Sequence, residues 1–317
     1  MKRQAGIALV TAIFVVALAS IAAVAMFEAS NIAVHRTANL VQSEAEWWYA
    51  DGIESWVKGV LIEDAKINKN TVGLNGLWAK PVDFLPIDGG AIRGHIEDLQ
   101  GRFNLNNLGP KPTPQNNPNG GQQQQQHDIY MEQFERLLDN LPNFDASKYR
   151  GVGYAIRDWI DADDERSGTD GAEDSDYLGE DPPYRAANQF MISTSELLQV
   201  RGVTKELYAA LAPYVTALPG NTEININTAS EPVLLSLSRD WDKSSLQKLL
   251  AARKLTPLTE TATALPADVL AKVSVTSQYF GLHAEVFIGS GRLALYSVMV
   301  RQGGGVPYVL THSTNSE

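Results

Sequence analysis

The first thirty residues contain the feature that most restricts how this 317-residue chain can fold. No charged residue lies between Arg3 and Glu28, and Ile7–Phe27 is an almost continuous apolar run that only Thr11 and Ser20 interrupt. As an α-helix, these roughly 21 residues extend about 31 Å, which is enough to cross the hydrocarbon core of a bilayer. Basic residues precede the run, so we expect a single-pass helix with a cytoplasmic N-terminus and the bulk of the chain exported.

Three interpretations of this run are open. The first is a signal peptide cleaved after Ala23-Val24-Ala25, and the second is a plain membrane anchor. The third is a prepilin-type leader, which Lys2–Gly6 followed by Ile7 resembles: cleavage between Gly6 and Ile7 would leave the apolar helix in place. Residues 28–63 contain no proline and continue the helical spacing of apolar residues, which favours one long retained helix over a discarded signal peptide.

Thr11 decides how closely the N-terminus fits the pilin pattern. Cleavage after Gly6 would make Thr11 the fifth mature residue, where most pilin-like proteins have a glutamate. A carboxylate in lipid is costly unless it is paired, and in pilins it is thought to pair with the amino terminus of a neighbouring subunit. Thr11 therefore either argues against a pilin or marks a member that lacks this neighbour.

The rest of the chain places a helical block between two regions of strand. Residues 91–99 alternate as a strand does and 101–105 continue it, whereas 111–127 are polar and of low complexity, which predicts a flexible linker. Helical periodicity then dominates, and the last forty residues alternate again around Gly289-Ser290-Gly291, as in two antiparallel strands joined by a tight turn. We predict an α+β fold with a large, mainly α-helical domain inserted into it. FNLNN (103–107) and ININ (224–227) look alike but are too short to establish a repeat.

Residues 158–181 hold eleven carboxylates and one arginine, which is a net charge of −10. The rest of the chain therefore carries only −1 of the total of −11. Crowded carboxylates repel one another unless a cation lies among them, and calcium takes six to eight oxygen ligands in irregular loops. Glycines and aromatic residues among the acids favour a bound ion over the alternative, a solvated acidic loop. We expect calcium here, and the predicted ligands are Asp161, Asp163, Glu173, Asp174 and Asp176.

The acidic stretch does not have the pattern of an EF-hand. Arg166 stands where that loop needs glycine, and Ala172 where it needs the closing glutamate. A pair of carboxylates could also serve as catalytic acid and base, but nothing specific supports this. The chain has no cysteine and none of the nucleophile, phosphate-loop or dinucleotide motifs, so we expect no enzyme. Its acidic surface makes it a poor nucleic-acid binder.

The whole chain resembles the large minor pseudopilin of type II secretion, the general secretion pathway protein K family. The segments that carry the resemblance are AGIALVTAIFVVALA, GRFNLNNL, DWIDADD, GAEDSDYLGEDPPYRAAN, TSELLQVRGV, APYVTALP and ININTA. This family usually lacks the glutamate at the fifth mature position, so Thr11 supports the resemblance.

The resemblance implies a pilin-like core, a long N-terminal helix with an antiparallel sheet, and calcium bound in the inserted α-domain. It divides the chain into a leader (1–6), an assembly helix (7–27), a first core part (28–108), a linker (109–127), the inserted domain (128–274) and C-terminal core strands (275–317).

The resemblance also implies functions and partners. The prepilin peptidase would cleave after Gly6 and methylate Ile7. The mature chain would sit in the inner membrane, bind I-type and J-type minor pseudopilins and the inner-membrane secretion platform, and form the tip of a periplasmic pseudopilus. The alternative is a membrane-anchored periplasmic calcium-binding or adhesin-like protein outside any secretion machine.

Overall fold

The computed structural model describes residues 5–109, 120–239, 241, 243–259, 265, 267–270, 272–303 and 305–314. The described α-helices are α1 (Ala5–Ile67), α2 (Gly120–Asp139), α3 (Val152–Ile160), α4 (Asp174–Tyr177), α5 (Lys205–Leu211), α6 (Glu231–Leu237), α7 (Lys243–Leu255) and α8 (Ala267–Leu270). Short 3-10 helices occur at Leu77–Ala79, Leu99–Gly101, Leu105–Leu108, Ala146–Tyr149, Thr194–Gln199 and Ala212–Tyr214. The strands are β1 (Val82–Ile87), β2 (Gly90–Asp98), β3 (Phe103–Asn104), β4 (Val215–Thr216), β5 (Ile224–Asn225), β6 (Val273–Ser274), β7 (Tyr279–Ile288), β8 (Gly291–Val300) and β9 (Tyr308–Thr314). Residues 1–4 of the predicted leader and 110–119 of the predicted linker lie outside the described residues.

Helix α1 has two halves with different surroundings. Within the described residues it is the one helix long and apolar enough to cross a membrane, and its apolar N-terminal window is fully exposed. In the second half, Ala50, Ile53, Val57 and Leu61 recur at helical spacing and are at most 7% exposed, because they pack against a sheet. The prediction of one long helix that continues from the apolar run into the core is confirmed, and its apolar half fits a single-pass membrane anchor.

Five strands form an antiparallel sheet in the order β1-β2-β7-β8-β9. Alternate residues of β7 and β8, among them Leu282, Val286 and Leu295, face α1 and are buried. The turn between β7 and β8 contains Gly289, whose positive φ of 55° favours glycine. The expected α+β fold, a long helix on an antiparallel sheet, is confirmed.

Contacts between α1 and the sheet fix the direction of the strands. Gln42 Nε2 donates to Ile288 O where β7 ends, whereas Arg301 Nη1, just beyond β8, donates to Leu61 O at 3.1 Å. The β7–β8 turn therefore lies toward the membrane half of α1, and the opposite ends of β7 and β8 lie near its C-terminus.

The inserted domain leaves the sheet at the end of β2 and returns at the start of β7. Asp98 is paired with Phe280, and Tyr279 with Val300, so both crossings lie at the end of the sheet near the C-terminus of α1. The insertion therefore occupies the pole of the core farthest from the apolar half of α1.

Asp98 connects the two domains at this pole. The carboxylate is 7% exposed, and its Oδ2 accepts hydrogen bonds from Asn225 Nδ2 (2.8 Å), Thr228 Oγ1 (2.6 Å) and Ser277 Oγ (2.6 Å). These donors come from the inserted domain and from its return segment, so one buried carboxylate holds the crossings together.

The inserted domain has its own apolar core. Helical spacing predicts one apolar stripe of Ile129, Phe134, Leu137, Leu138 and Leu141. The last four are buried in this core, whereas Ile129 is 38% exposed, and α3, α6 and α7 contribute the remaining faces. The spacing of Ser193 and Glu196 predicts a capping box at the start of a helix. The box is present, because Glu196 Oε1 accepts from Ser193 N at 3.1 Å, but the segment it caps is a short 3-10 helix.

Two predicted boundaries need correction. Residues 103–108 were assigned to the pilin-like core, but Phe103, Leu105 and Leu108 are fully buried in the core of the inserted domain, because the chain leaves the sheet after Asp98. The linker was predicted to run to residue 127, but α2 already begins at Gly120. Glutamine has good helix propensity, and a polar composition does not exclude a helix that is continued by an apolar stripe.

The similarity between FNLNN and ININ corresponds to a shared local structure. Asn104 and Asn225 each end a two-residue strand that pairs in parallel, with β4 and β6 respectively. In each case the asparagine Oδ1 accepts from the backbone N–H two residues later, at 3.2 Å from Asn106 and 3.0 Å from Asn227. The two similar sequence segments therefore form the same asparagine-stabilised turn after a short strand.

Candidate metal centre

Three carboxylates meet inside the inserted domain at the end of α3. Asp158 lies in the last turn of α3, Asp161 follows that helix, and Glu173 precedes α4; none is more than 2% exposed. One oxygen from each lies within 4.8 Å of the others. Such a spacing lets a single cation contact all three.

The loop between Asp161 and Glu173 is folded back over Asp158. The backbone N–H of Ser167 donates to both Asp158 oxygens, at 2.9 and 3.0 Å. A Cβ on Gly171 would lie 2.2 Å from Asp158 Oδ2, so only glycine allows this approach, and Gly168 has a φ of +75°. The glycines in the acidic stretch are thus required by the geometry of the cluster.

Aromatic rings attach the loop to the core, as the sequence indicated. Tyr177 is 1% exposed, and its ring contacts Trp159 edge-on at 5.3 Å and Tyr184 at 5.3 Å. The apolar pair Tyr177-Leu178 predicts that both side chains attach the loop to a core, but Leu178 is 52% exposed. The side chains of α3 and α4 that frame the cluster are therefore held by the Trp159–Tyr177 contact.

The electrostatics of the cluster favour a bound cation. Burial first, and then the charges of Asp158 and Asp161, raise the pKa of Glu173 to about 8. Neither carboxylate oxygen of Glu173 accepts a hydrogen bond from the residues the structure describes. The C-terminus of α3 adds negative potential. Three buried carboxylate groups with this crowding fit a hard divalent ion that prefers oxygen ligands, with carbonyls or water completing its coordination.

Of the five predicted ligands, the structure brings Asp161 and Glu173 into the cluster. Asp163 Oδ1 accepts from Glu165 N at 2.9 Å. Asp174 pairs with Arg185 and Asp176 with Arg166, at 3.2 and 2.6 Å. Asp176 also pairs with Arg201 and accepts from Glu173 N at 3.0 Å, so these two acids attach the loop to its surroundings.

Asp158 is the cluster member that the predicted ligand set lacked. It precedes Asp161 by one helical turn, and i, i+3 residues share a face of a helix end. Its neighbours Trp159 and Ile160 are apolar and buried in the core. An aspartate in the same turn of α3 is therefore also close to the core, where its charge needs a partner. That combination was the available sequence signal.

The N-terminal site residues lie in α1. Thr11 Oγ1 donates within its own helix, at 3.1 Å to Ile7 O and 3.0 Å to Ala8 O. A threonine in the apolar segment is therefore satisfied by its own backbone, whereas a carboxylate there would need an external partner. The predicted cleavage position, between Gly6 and Ile7, lies in the first turns of α1, and processing stays a prediction.

An apolar N-terminal helix that fits a membrane anchor and continues into an α+β core, with a helical domain inserted at the distal pole, defines a large subunit of pilin-like architecture. Sequence profiles described as "Type II secretion system (T2SS), protein K" match residues 101–220 and 224–283. The chain is 35% identical to "Type II secretion system protein K" of Aeromonas hydrophila, over 95% of this chain and 94% of the relative. It is 33% identical to the protein of the same description from Pseudomonas aeruginosa, over 96% and 91%.

A solved structure gives the same assignment. The chain resembles, at a TM-score of 0.71 and 28% identity over 89% of this chain and 100% of the other, a component of "the GspK-GspI-GspJ complex from enterotoxigenic Escherichia coli Type 2 Secretion System". The chain belongs to the type II secretion system protein K family, the minor pseudopilin family that the sequence resembles.

Proposed function

We propose that this protein forms the tip of a type II secretion pseudopilus, initiates its assembly with other minor pseudopilins, and helps to export folded proteins across the outer membrane. The observation that carries the proposal is the position of the inserted domain, which is attached through Asp98 and Tyr279 at the pole farthest from the membrane helix. In a fibre whose subunits rise from the membrane in succession, this domain would occupy the space of the next subunit. That geometry favours a subunit with nothing above it.

Thr11 supports the same position. Its hydroxyl donates to the carbonyl oxygens of Ile7 and Ala8 in its own helix, so Thr11 needs no charged group from a neighbour. The proposed processing, cleavage between Gly6 and Ile7 by the prepilin peptidase with methylation of Ile7, would leave α1 as the anchor. We infer an inner-membrane subunit with a cytoplasmic N-terminus and a periplasmic core.

The proposed partners are the I-type and J-type minor pseudopilins and the inner-membrane platform. The similar Escherichia coli protein belongs to a crystal structure of a GspK-GspI-GspJ complex, which supports equivalent I-type and J-type partners here. The exposed apolar half of α1 is the surface that such assembly would cover.

We further propose that calcium occupies the cluster of Asp158, Asp161 and Glu173. The support is the burial of all three carboxylates within 4.8 Å of one another at the C-terminus of α3. When bound, the ion would neutralise the cluster and fix the loop of residues 161–173, so its role would be structural. No step of export is assigned to it.

The test of the tip position is site-specific labelling on isolated pseudopili. A label on the inserted domain, for example at the exposed Asp164, is expected at one end of each fibre. Labels spaced along the shaft would refute the proposal. Mass spectrometry of the mature N-terminus tests the anchor separately: methylated Ile7 is expected, and an intact Met1 or a start after Ala25 would favour a plain anchor or a cleaved signal peptide.

A further inference from the structure

Two histidines face each other on the outer side of the five-stranded sheet. His95 in β2 is paired with His283 in β7, and their imidazole rings are stacked with centroids 4.8 Å apart and planes 6° from parallel. Successive side chains of a strand alternate between the two faces of a sheet. Because Leu282 packs toward α1, His283 and its partner His95 lie on the face opposite α1.

A carboxylate holds one of the two rings. Glu97 Oε1 lies 3.0 Å from His283 Nε2, and Glu97 Oε2 pairs with Arg102. Glu97 can lean toward His283 because Gly281 is paired with it across the strands; a Cβ on Gly281 would lie 3.1 Å from Glu97 Cγ. The sheet thus leaves a place for this carboxylate beside the imidazole.

The charge of Glu97 decides which nitrogen of His283 can bind a ligand. Burial opposes ionisation, but the hydrogen bond with His283 and the charges of Arg102, His283 and His95 hold the pKa of the Glu97 carboxyl below its usual range. The ionised carboxylate accepts from His283 Nε2–H, so the lone pair of the neutral ring is on Nδ1. Histidines that bind metals commonly donate their other N–H to a carboxylate in this way.

The two rings differ in how firmly they are held. His283 has the ring of Tyr296, its partner in β8, at 4.8 Å as well as the ring of His95. His95 is exposed. The torsion about the bond from Cβ to the ring is broad in histidine, so His95 can turn from the stacked arrangement and direct a nitrogen toward the same point as His283 Nδ1.

The histidine pair lines an open groove on the outer face of the sheet. The groove has a volume of about 730 Å³ and is bordered by residues of β1, β2, β7 and β8. Glu285, which also lines it, pairs with both Arg93 and Arg292. The two imidazoles are therefore the ligands that the groove offers to a metal ion, and the groove has room for water molecules.

We propose that His95 and His283 bind a divalent transition-metal ion, with Zn²⁺ as the probe. Imidazole nitrogens suit zinc, copper and nickel, whereas calcium prefers oxygen ligands. One nitrogen of His95 and Nδ1 of His283 supply two ligands, and water molecules fill the remaining positions of a four-coordinate zinc ion. Glu97 is a positioning residue that orients His283. The site differs from the carboxylate cluster in chemistry and location, and it does not depend on the proposed function.

The ion joins the two strands between which the inserted domain leaves the sheet and returns to it. β2 ends at Asp98, three residues after His95, and β7 begins at Tyr279, four residues before His283. A metal bound by both strands adds a link beside the crossings that Asp98 holds together. Zinc should therefore raise the melting temperature of the chain, because an ion that binds only the folded state stabilises it.

The test is a calorimetric titration of the full chain in detergent with Zn²⁺, in excess calcium so that the carboxylate cluster is not available to zinc. We expect one zinc ion per chain. His95→Gln and His283→Gln should each weaken binding by about tenfold or more, and Glu97→Gln by about tenfold, the usual effect of removing an orienting carboxylate. Because His95 is exposed, the melting temperature of His95→Gln without zinc should equal that of the wild type.

The matched control is His312→Gln. His312 also has a carboxylate partner, with Nδ1 3.1 Å from Glu54 Oε1, but its ring lies edge-on to Trp47 at 6.1 Å. If the pair of imidazoles is the site, this variant should keep zinc affinity within about twofold of wild type.

Electron paramagnetic resonance of the Cu²⁺-loaded chain counts the ligands. Two coupled imidazole nitrogens are expected in the wild type and in Glu97→Gln, and one in His95→Gln. Absence of zinc binding, or binding that the His95 and His283 variants leave unchanged, overturns the site. An equal loss of affinity in His312→Gln overturns it as well. Zinc that excess calcium displaces belongs to the carboxylate cluster and also overturns the proposal.

Discussion

Replacing Glu173 with glutamine removes one ionisable group from the carboxylate cluster and keeps the shape of the side chain. The pKa of Glu173 is raised from an ordinary value of 4.5 to about 8 by burial and by Asp158 and Asp161. Without a cation, the folded chain therefore binds a proton that the unfolded chain releases, and stability falls as the pH rises from about 4.5 to about 8. At 1.36 kcal/mol per pH unit, this costs the chelated protein about 3 kcal/mol at pH 7.

Calcium is expected to reverse this loss in the wild type. An ion at one hundred times its dissociation constant stabilises a folded protein by about 2.7 kcal/mol. Glu173→Gln cannot be ionised, so the chelated variant should be about 3 kcal/mol more stable than the chelated wild type at pH 7, with little dependence on pH and little response to calcium. The assay is urea unfolding of the full chain in detergent with chelator or calcium between pH 5 and 8, with hydrogen exchange of residues 158–177 as a local readout.

The matched control is Asp164→Asn, which removes a negative charge from an exposed position of the same loop. It should keep both the pH dependence and the calcium response of the wild type. If the chelated wild type is equally stable at pH 5 and pH 8, and calcium adds nothing at pH 7, the reasoning about the cluster is refuted.

Three further changes test other parts of the structure. Gly171→Ala places a Cβ 2.2 Å from Asp158 Oδ2 and should cost about 1–3 kcal/mol in urea unfolding and weaken the calcium response; an unchanged midpoint would contradict the close approach. Asp98→Ala removes the carboxylate that accepts from the Gln100 N–H and from three side chains, and it should cost about 3 kcal/mol, with exposed Asp83→Ala as the neutral control; equal losses would show that Asp98 does not join the domains. Thr11→Val should leave N-terminal processing and secretion within twofold of wild type, because the hydroxyl is bonded to carbonyls of its own helix; a larger loss in a secretion assay would reveal an external partner for Thr11.

Features that depend on periodicity could be predicted from the sequence. The length of α1 followed from its apolar run and from the absence of proline, and the stripe of Phe134, Leu137 and Leu138 identified the buried face of α2. The last two long strands were predictable because alternation on both sides of a glycine-containing turn has few other solutions. In each case the signal is local and repeats along the element.

Boundaries and pairings were less predictable because they depend on residues distant in the chain. Phe103 has the same apolar character whether it extends β2 or enters another core, and only its burial beside α2 decides between these places. Composition gave the linker its predicted end at 127, but glutamine has good helix propensity, and α2 already begins at Gly120.

The carboxylate cluster illustrates the limit most clearly. The eleven acids of residues 158–181 are chemically alike in sequence. In the fold they differ in which charged groups lie next to them. Asp174 and Asp176 meet arginines, whereas Asp158, Asp161 and Glu173 meet one another in a buried site. Burial with like charges is the arrangement that calls for a cation, and pairing with arginine is the arrangement that does not. Which carboxylates of an acidic stretch lie together therefore depends on how the loop closes, and here Gly171 and the Ser167 N–H determine that closure.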